Sequence, residues 1–322
     1  MEKYIIGIDL GGMGAKGGLF TLDGKLLYTE RVKTNKADGF EGTIKLLASL
    51  VDRLVKGYNT SLDDVISIGV GSPGVVDGRE GKVLRWTNFD WENVPFAQSL
   101  SKLTGKKVTV VNDANAAALG EAQYGATAKY QSSILLTIGT GIGGGIVHDG
   151  KLIEGYKCAG AELGHITIRE GGLLCACGRR GCYEKYASTT ALIQQTRHAM
   201  VENLNSELWK VADGKIENVN GRTVFIAAKK GDETAKKVVE QFVQYLAEGI
   251  ADFVNILRPE AIVLGGGIAN EGETLFEPLR KAVDNRSYIA MDVVPLKIVG
   301  AKLGNEAGMY GAFVVAKESM QA

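Results

Sequence analysis

Two ten-residue stretches constrain this chain more than any other feature. Gly18 to Leu27 (Gly-Leu-Phe-Thr-Leu-Asp-Gly-Lys-Leu-Leu) registers without a gap on Gly144 to Ile153 (Gly-Gly-Ile-Val-His-Asp-Gly-Lys-Leu-Ile), an offset of 126 residues. Both sit in the same setting: an apolar strand, a glycine-rich turn, a second strand and an Asp-Gly hairpin. A supersecondary unit that recurs in this way reads as an internal duplication with two homologous halves. At 322 residues the chain is long enough for two domains, each with its own core.

The remaining elements follow from periodicity. Residues 4–9, Lys16 to Leu22 and Lys25 to Val32 read as three antiparallel strands, with a tight turn at Leu10 to Gly14. Apolar positions Ile44, Leu47, Leu50, Val51, Leu54 and Val55 predict a helix from about Glu41 to Lys56. Ser67 to Val70 and Val108 to Val111 read as strands, Trp86 to Val94 as a loop, and Pro95 to Thr104 and Ala114 to Ala122 as helices. In the second half, strands are expected at Ser133 to Ile138 and Ile146 to His148, with Gly139 to Gly145 as a loop between them. Helices follow at Thr189 to Leu204, Val224 to Lys230 and Thr234 to Arg258. Ala261 to Leu264 and Val293 to Val299 read as strands, Leu275 to Val283 and Glu306 to Glu318 as helices. The fold class is α/β.

Three of the four cysteines (Cys175, Cys177, Cys182) lie in one short segment with His165. Three thiolates and an imidazole make the ligand set of a closed tetrahedral zinc site, and Gly171, Gly172, Gly178 and Gly181 let the backbone aim them at one point. With four protein ligands the metal is structural. Reduced, packed cysteines and a disulfide are the alternatives. Two carboxylates, Glu162 and Glu184, flank the segment and are held with it.

Gly139-Thr140-Gly141-Ile142-Gly143-Gly144 satisfies the dinucleotide fingerprint GxGxxG. The fingerprint requires a helix after its last glycine, whereas this chain continues as a strand and hairpin, so a dehydrogenase is disfavoured. No GxxxxGK[ST] is present, which excludes a P-loop enzyme. A phosphate cradled between two glycine hairpins remains, with amides of Gly11, Gly12 and Gly14 from one half and of Gly139, Thr140 and Gly141 from the other. Asp9 could hold magnesium through water, or merely cap the turn. Gly265, Gly266 and Gly267 would let a flat base lie against the backbone, or form a plain strand-to-helix turn.

With Ala161-Glu162-Leu163-Gly164-His165, the Cys175-to-Glu184 segment, Leu10-Gly11-Gly12 and Val111-Asn112-Asp113-Ala114-Asn115 on the page, the chain resembles the ROK family of sugar kinases and related repressors. The resemblance runs from Ile5 to the last helix. It implies two RNase H-like domains of the actin-like ATPase type with an active-site cleft between them. The first would comprise residues 1–119 plus 305–322, the second 120–304 with the zinc loop. By the same resemblance, Asp113 is the general base that takes a proton from a sugar hydroxyl as it attacks the γ-phosphate of ATP. Ser72, Asn88, Asn112, Glu162, His165 and Glu184 line the sugar pocket, with His165 also a zinc ligand. ATP, Mg2+ and a structural Zn2+ are the implied cofactors, and a homodimer or tetramer the implied assembly. The Glu162, His165 and Glu184 set fits glucose, phosphorylated at its 6-hydroxyl. Mannose, N-acetylmannosamine, allose, fructose and β-glucosides remain alternatives.

Two rival functions are weighed. A sugar-sensing regulator of the same family carries a helix-turn-helix ahead of the first strand, where this sequence has Met1-Glu2-Lys3. A sugar-binding module needs neither Asp113 nor the glycine turns. Lys plus Arg and Asp plus Glu are 37 each, which gives no reason to expect nucleic acid or an anionic membrane as partner. No apolar run is long enough to cross a bilayer, and no signal peptide precedes the first strand, so a cytoplasmic protein is expected. Met13 departs from the family, which carries threonine there. His148 and His198 match no family motif.

Overall fold

The computed structural model describes residues Glu2–Met320. Its strands are β1 (Tyr4–Leu10), β2 (Ala15–Thr21), β3 (Leu26–Val32), β4 (Val65–Ser72), β5 (Val75–Asp77), β6 (Lys82–Trp86), β7 (Trp91–Val94), β8 (Lys107–Asn112), β9 (Ser133–Ile138), β10 (Ile142–His148), β11 (Lys151–Leu152), β12 (Ala261–Gly265) and β13 (Lys297–Gly300). One five-stranded sheet runs in the order β3-β2-β1-β4-β8 and the other β11-β10-β9-β12-β13. Position by position the orders are the same, as the repeated ten-residue stretch leads one to expect. In the first sheet, β1–β2 and β2–β3 are antiparallel, while β1–β4 and β4–β8 are parallel.

The chain divides into two compact units, the first formed by residues 1–133, 145–161 and 302–322, the second by residues 134–144 and 162–301. In the first unit, helix Gly39–Gly57 buries Ile44, Leu47, Leu50, Val51, Leu54 and Val55, all six positions of its predicted apolar face. Each such side chain contributes about 1.5–3 kcal/mol by leaving water. The other face of the sheet is covered by helix Ala307–Glu318, whose Met309 and Phe313 are buried with Ile5, Phe20 and Leu119. That helix also lies against helix Asp113–Tyr124 at backbone distance. A Cβ on Gly120 would stand 2.2 Å from the Ala307 carbonyl oxygen, and one on Gly311 1.6 Å from that of Ala116. The small residues of both helices thus let the backbones meet. Glu121 fixes the return of the chain into this unit: its buried carboxylate accepts the N–H groups of Ala126, Lys302 and Leu303 at 2.7, 3.1 and 2.7 Å.

The second unit adds helices Thr189–Glu202, Glu207–Val211, Thr223–Lys229, Glu233–Leu257 and Glu273–Asp284 to its sheet strands. The longest starts at Asp232, whose side chain accepts the Ala235 N–H at 2.7 Å and so caps the first turn.

Four expectations are corrected. Trp86 to Val94 is not a loop: Trp86 ends β6 and Trp91–Val94 forms β7, in a three-stranded sheet ordered β5-β6-β7. Its aromatic side chains hold it, with Trp86 stacked on Phe89 at 4.0 Å and edge-on to Trp91 at 4.8 Å. Gly143, Gly144 and Gly145 belong to β10 and not to a loop. Gly144 and Gly145 suit this strand because neighbours leave no room for a side chain: a Cβ on Gly144 would lie 2.6 Å from Leu163, and one on Gly145 2.6 Å from Ala118. The last strand spans Lys297–Gly300, shorter than Val293 to Val299, and Gly265 closes β12 instead of opening a loop.

Candidate active site

In the first unit the predicted residues converge on the ends of β1, β4 and β8. Ser72 and Asn112 are register partners at the ends of β4 and β8. Asn112 then caps helix Asp113–Tyr124: its Oδ1 accepts the N–H groups of Ala114 and Asn115 at 3.0 and 3.1 Å. Its amide nitrogen donates to the Gly74 carbonyl at 3.0 Å. Asp113, the first helical residue, accepts the Ala114 N–H at 2.8 Å. Gly71 is needed beside it, since a Cβ there would meet Asp113 Cα at 3.6 Å and the Ala116 methyl at 3.2 Å.

Asp9, near the end of β1, belongs to the same cluster. Burial pushes its carboxyl up to about 6, the Asp113 charge adds to the rise, and the Lys16 ammonium opposes it. Two carboxylates crowded in this way form an all-oxygen donor set suited to a hard cation such as Mg2+. The turn after β1 is closed by the Gly11 N–H donating to the Gly14 carbonyl at 2.8 Å. Among the described residues, no hydrogen bond takes the N–H of Gly12 or Met13. The Met13 side chain is 91% exposed. Asn88 is exposed on the turn Thr87–Phe89, and Phe89 of that turn lies 3.9 Å from where a Gly12 Cβ would be. The aromatic sheet thereby delivers Asn88 next to the first glycine turn.

The second unit gathers the metal-type ligands. One ligand atom each from His165, Cys175, Cys177 and Cys182 all lie within 4.8 Å of one another. His165 Nδ1 is 3.7 Å from Cys175 Sγ, and Cys177 Sγ 3.6 Å from Cys182 Sγ. Ligand bonds of the zinc–sulfur and zinc–nitrogen lengths give a tetrahedron with edges of about 3.4–3.8 Å, so this donor set fits the ion. The sulfurs are too far apart for a disulfide, whose bond is about 2.05 Å, and all four cysteines are free. The fourth, Cys158, lies outside the cluster. Gly181 is indispensable to the turn: its φ is +81°, and a Cβ would fall 1.7 Å from the Arg169 carbonyl oxygen. Arg179 ties the turn back, donating to the His165 carbonyl at 3.0 Å and to Thr167 Oγ1 at 2.9 Å.

The flanking carboxylates are positioned from this cluster. Glu184 Oε1 accepts from the Cys175 thiol at 3.1 Å and stands 4.0 Å from His165 Nδ1. It opens a short helix directly after Tyr183, whose ring is wholly buried against Gly249 and whose hydroxyl donates to the Leu246 carbonyl at 2.9 Å. Glu162 is exposed and linked to His165 through its carbonyl, which accepts the His165 N–H at 3.0 Å. Gly141 borders Glu184, since a Cβ on it would sit 2.5 Å from Oε2.

The glycines that follow β9 and β12 meet at a cavity of about 490 Å³, lined by Gly139, Thr140, Gly266, Gly267 and Ile268 together with Thr189, Thr190, Ile193, Asn220, Gly221 and Arg222. Gly266 has φ +90°, and a Cβ on it would be 2.1 Å from the Ile138 carbonyl oxygen. Thr189 closes one side, donating its N–H to the Gly139 carbonyl at 2.9 Å. The lining from helix Thr189–Glu202 and the segment Asn220 to Arg222 was not foreseen. The one available signal was Asn220-Gly221 between two helical patterns, a turn dipeptide that says nothing of a ligand. His148 and His198 lie apart from these groups, exposed and paired with Asp149 and Glu202.

Residues 5–319 match the family model for the ROK family. The chain is 39% identical over 316 residues to the glucokinase of Thermotoga maritima, covering 98% of this chain and 97% of that protein. Among solved structures it is similar to a ROK family glucokinase from Streptomyces griseus in complex with glucose and AMPPNP, at TM-score 0.81 and 33% identity over 98% and 99% of the two chains. It is similar to the ROK hexokinase from Thermus thermophilus at TM-score 0.81 and 34% identity over 99% of both.

Proposed function

Since this chain belongs to the ROK family, we propose that it is an ATP-dependent sugar kinase that phosphorylates glucose at the 6-hydroxyl. The observation that carries the reading is the placement of Asp113. A carboxylate at a capped helix start, beside the second carboxylate of Asp9, suits a reaction that needs a base and a cation within reach of one hydroxyl. The near full-length likeness to the Thermotoga maritima glucokinase supports the choice of sugar.

In this reading the 6-hydroxyl oxygen attacks the γ-phosphorus as its proton passes to Asp113 and the bond to the ADP oxygen breaks. Asn112 has a second amide hydrogen beyond the one given to Gly74, which can meet a sugar hydroxyl. Ser72 and Asn88 complete the first unit's contribution. Glu162 and Glu184 accept from hydroxyls of the sugar, and rejection of molecules lacking them follows from the cost of unpaired carboxylates. His165 turns Nδ1 toward the thiols, so Nε2 remains for the sugar. The adenosine part of ATP enters the cavity at Gly266 and Gly267, with Gly265 behind it and Gly139 and Thr140 at its edge for the phosphates.

Asp9 would hold Mg2+ through water, and that ion neutralises charge developing on the phosphates. His165, Cys175, Cys177 and Cys182 would hold a structural zinc ion. A homodimer in the cytoplasm belongs to the same reading; among the described residues, no helix is long and apolar enough to cross a membrane.

A coupled spectrophotometric assay at fixed ATP tests it with glucose, mannose, N-acetylmannosamine, allose, fructose and a β-glucoside. Glucose should give the highest kcat/KM. Turnover of another sugar in its place would overturn the substrate, and turnover of none would overturn the kinase.

A further inference from the structure

Lys16 is an ammonium among carboxylates. It faces Asp9 directly across the β1–β2 pair, which puts the two side chains on the same face of the sheet. Its side chain is only 13% exposed, and Nζ lies 2.9 Å from Glu306 Oε1. Glu306 stands immediately before helix Ala307–Glu318. The first turn of that helix touches Asp9, since a Cβ on Gly308 would be 2.8 Å from the Asp9 carboxyl carbon. Asp113 is near enough for its charge to act on Asp9. The cluster therefore holds three carboxylates and one lysine beside the first glycine turn.

The two partners of the ion pair are not equivalent. Lys16 is fixed on a central strand and largely enclosed, so its charge has nowhere else to go. Glu306 has a 42% exposed side chain on an end-of-helix turn, and can swing into water without moving backbone. Its carboxylate occupies the anion position beside the enclosed ammonium and makes no capping hydrogen bond to the helix that follows. A side chain that fills an anion site from the edge acts as a place-holder for a diffusible anion of the same geometry.

We propose that Lys16 binds the phosphates of the nucleotide and that Glu306 is an internal anion which they displace. The inference rests on the sugar-kinase reading, which brings the transferring phosphoryl group to Asp113 and hence to this cluster. Glu306 then sets nucleotide affinity: every binding event must break the 2.9 Å pair before Lys16 can be used.

The test is binding of Mg-AMPPNP by calorimetry to wild type, Glu306→Gln, Lys16→Gln and the double variant, with glucose affinity and melting temperature as controls. Glu306→Gln should bind AMPPNP three- to tenfold tighter, with glucose affinity unchanged within twofold. Lys16→Gln should bind it at least tenfold more weakly, and in that background Glu306→Gln should gain less than twofold, because the two substitutions act on one contact. Unchanged or weaker binding by Glu306→Gln overturns the proposal, as does an equal gain in both backgrounds. Should Lys16→Gln fail to fold, Lys16→Arg takes its place: it retains the charge and must keep nucleotide affinity within about threefold, and a larger loss counts against the proposal. If wild type phosphorylates glucose with ATP yet Glu306→Gln shows no gain, this inference fails alone. If wild type neither binds AMPPNP nor turns over, the kinase reading fails with it.

Discussion

The side-chain amide of Asn112 donates to the Gly74 carbonyl at 3.0 Å, while its oxygen caps the helix that Asp113 begins. One residue thus joins the end of β8, the turn after β4 and the proposed base. Because Asn112 and not Asp113 provides the main cap, Asp113→Asn should leave the fold and the sugar contacts in place. Turnover should fall at least a hundredfold, about the contribution of a general base, with glucose affinity within a fewfold. Steady-state kinetics with calorimetry checks this, and retention of more than about a tenth of wild-type kcat would sink the assignment.

Asp9 makes the metal-free protein sensitive to pH. Its folded-state pKa of about 6 lies above the unfolded value, so its protonated form is favoured by folding. The resulting stability is fully present below pH of about 4 and is lost as pH rises through about 6, in total on the order of 3 kcal/mol. Urea melts of nucleotide- and magnesium-free protein should show this decline, and Asp9→Asn should remove it and be the more stable form at pH 8. A wild-type profile no steeper than that of the variant would contradict it.

Metal analysis of purified protein should find about one zinc per chain. Cys177→Ala should lose the metal and weaken glucose binding together, because Glu184 is placed by its contact with Cys175 and its approach to His165. Normal glucose affinity in the zinc-free variant would separate the clip from the sugar pocket.

Met13 occupies the family's threonine position, but its side chain points into solvent. In the proposed reading the N–H groups of Gly12 and Met13, which no hydrogen bond takes among the described residues, serve the phosphate. Met13→Thr should therefore change kcat by less than about tenfold, one hydrogen bond's worth of transition-state energy. A hundredfold gain, measured with glucose and ATP, would mean that the natural turn is a damaged phosphate site.

How much of this was readable beforehand depended on the length of the element and the chemistry of its residues. The six buried positions of helix Gly39–Gly57 and the ligand segment Cys175 to Cys182 stand out because periodicity and thiol spacing are strong local signals. Strands β5 and β7 have three and four residues, too few for alternation to register. Gly143 to Gly145 read as loop because glycine is depleted in strands; only Leu163 beside Gly144 and Ala118 beside Gly145 reveal why those two are required. Arg222 and Asn220 were invisible as cavity residues, since a nucleoside-sized space arises from segments that no short window contains.

The placement of helix Ala307–Glu318 bears on how the protein is made. Gly7 and Gly69 of the opening sheet are shaped to receive the backbone of that helix, and Ile5 and Phe20 are buried with its Met309 and Phe313. On the ribosome these partners follow the strands they cover by roughly 300 residues. At roughly 5–20 residues per second, β1 and β2 leave the exit tunnel on the order of 15 to 60 seconds before that helix does. Through that interval the apolar face of the sheet is bare, a natural substrate for holding chaperones, and a transcript broken ahead of that helix's codons yields a sheet that can never be covered.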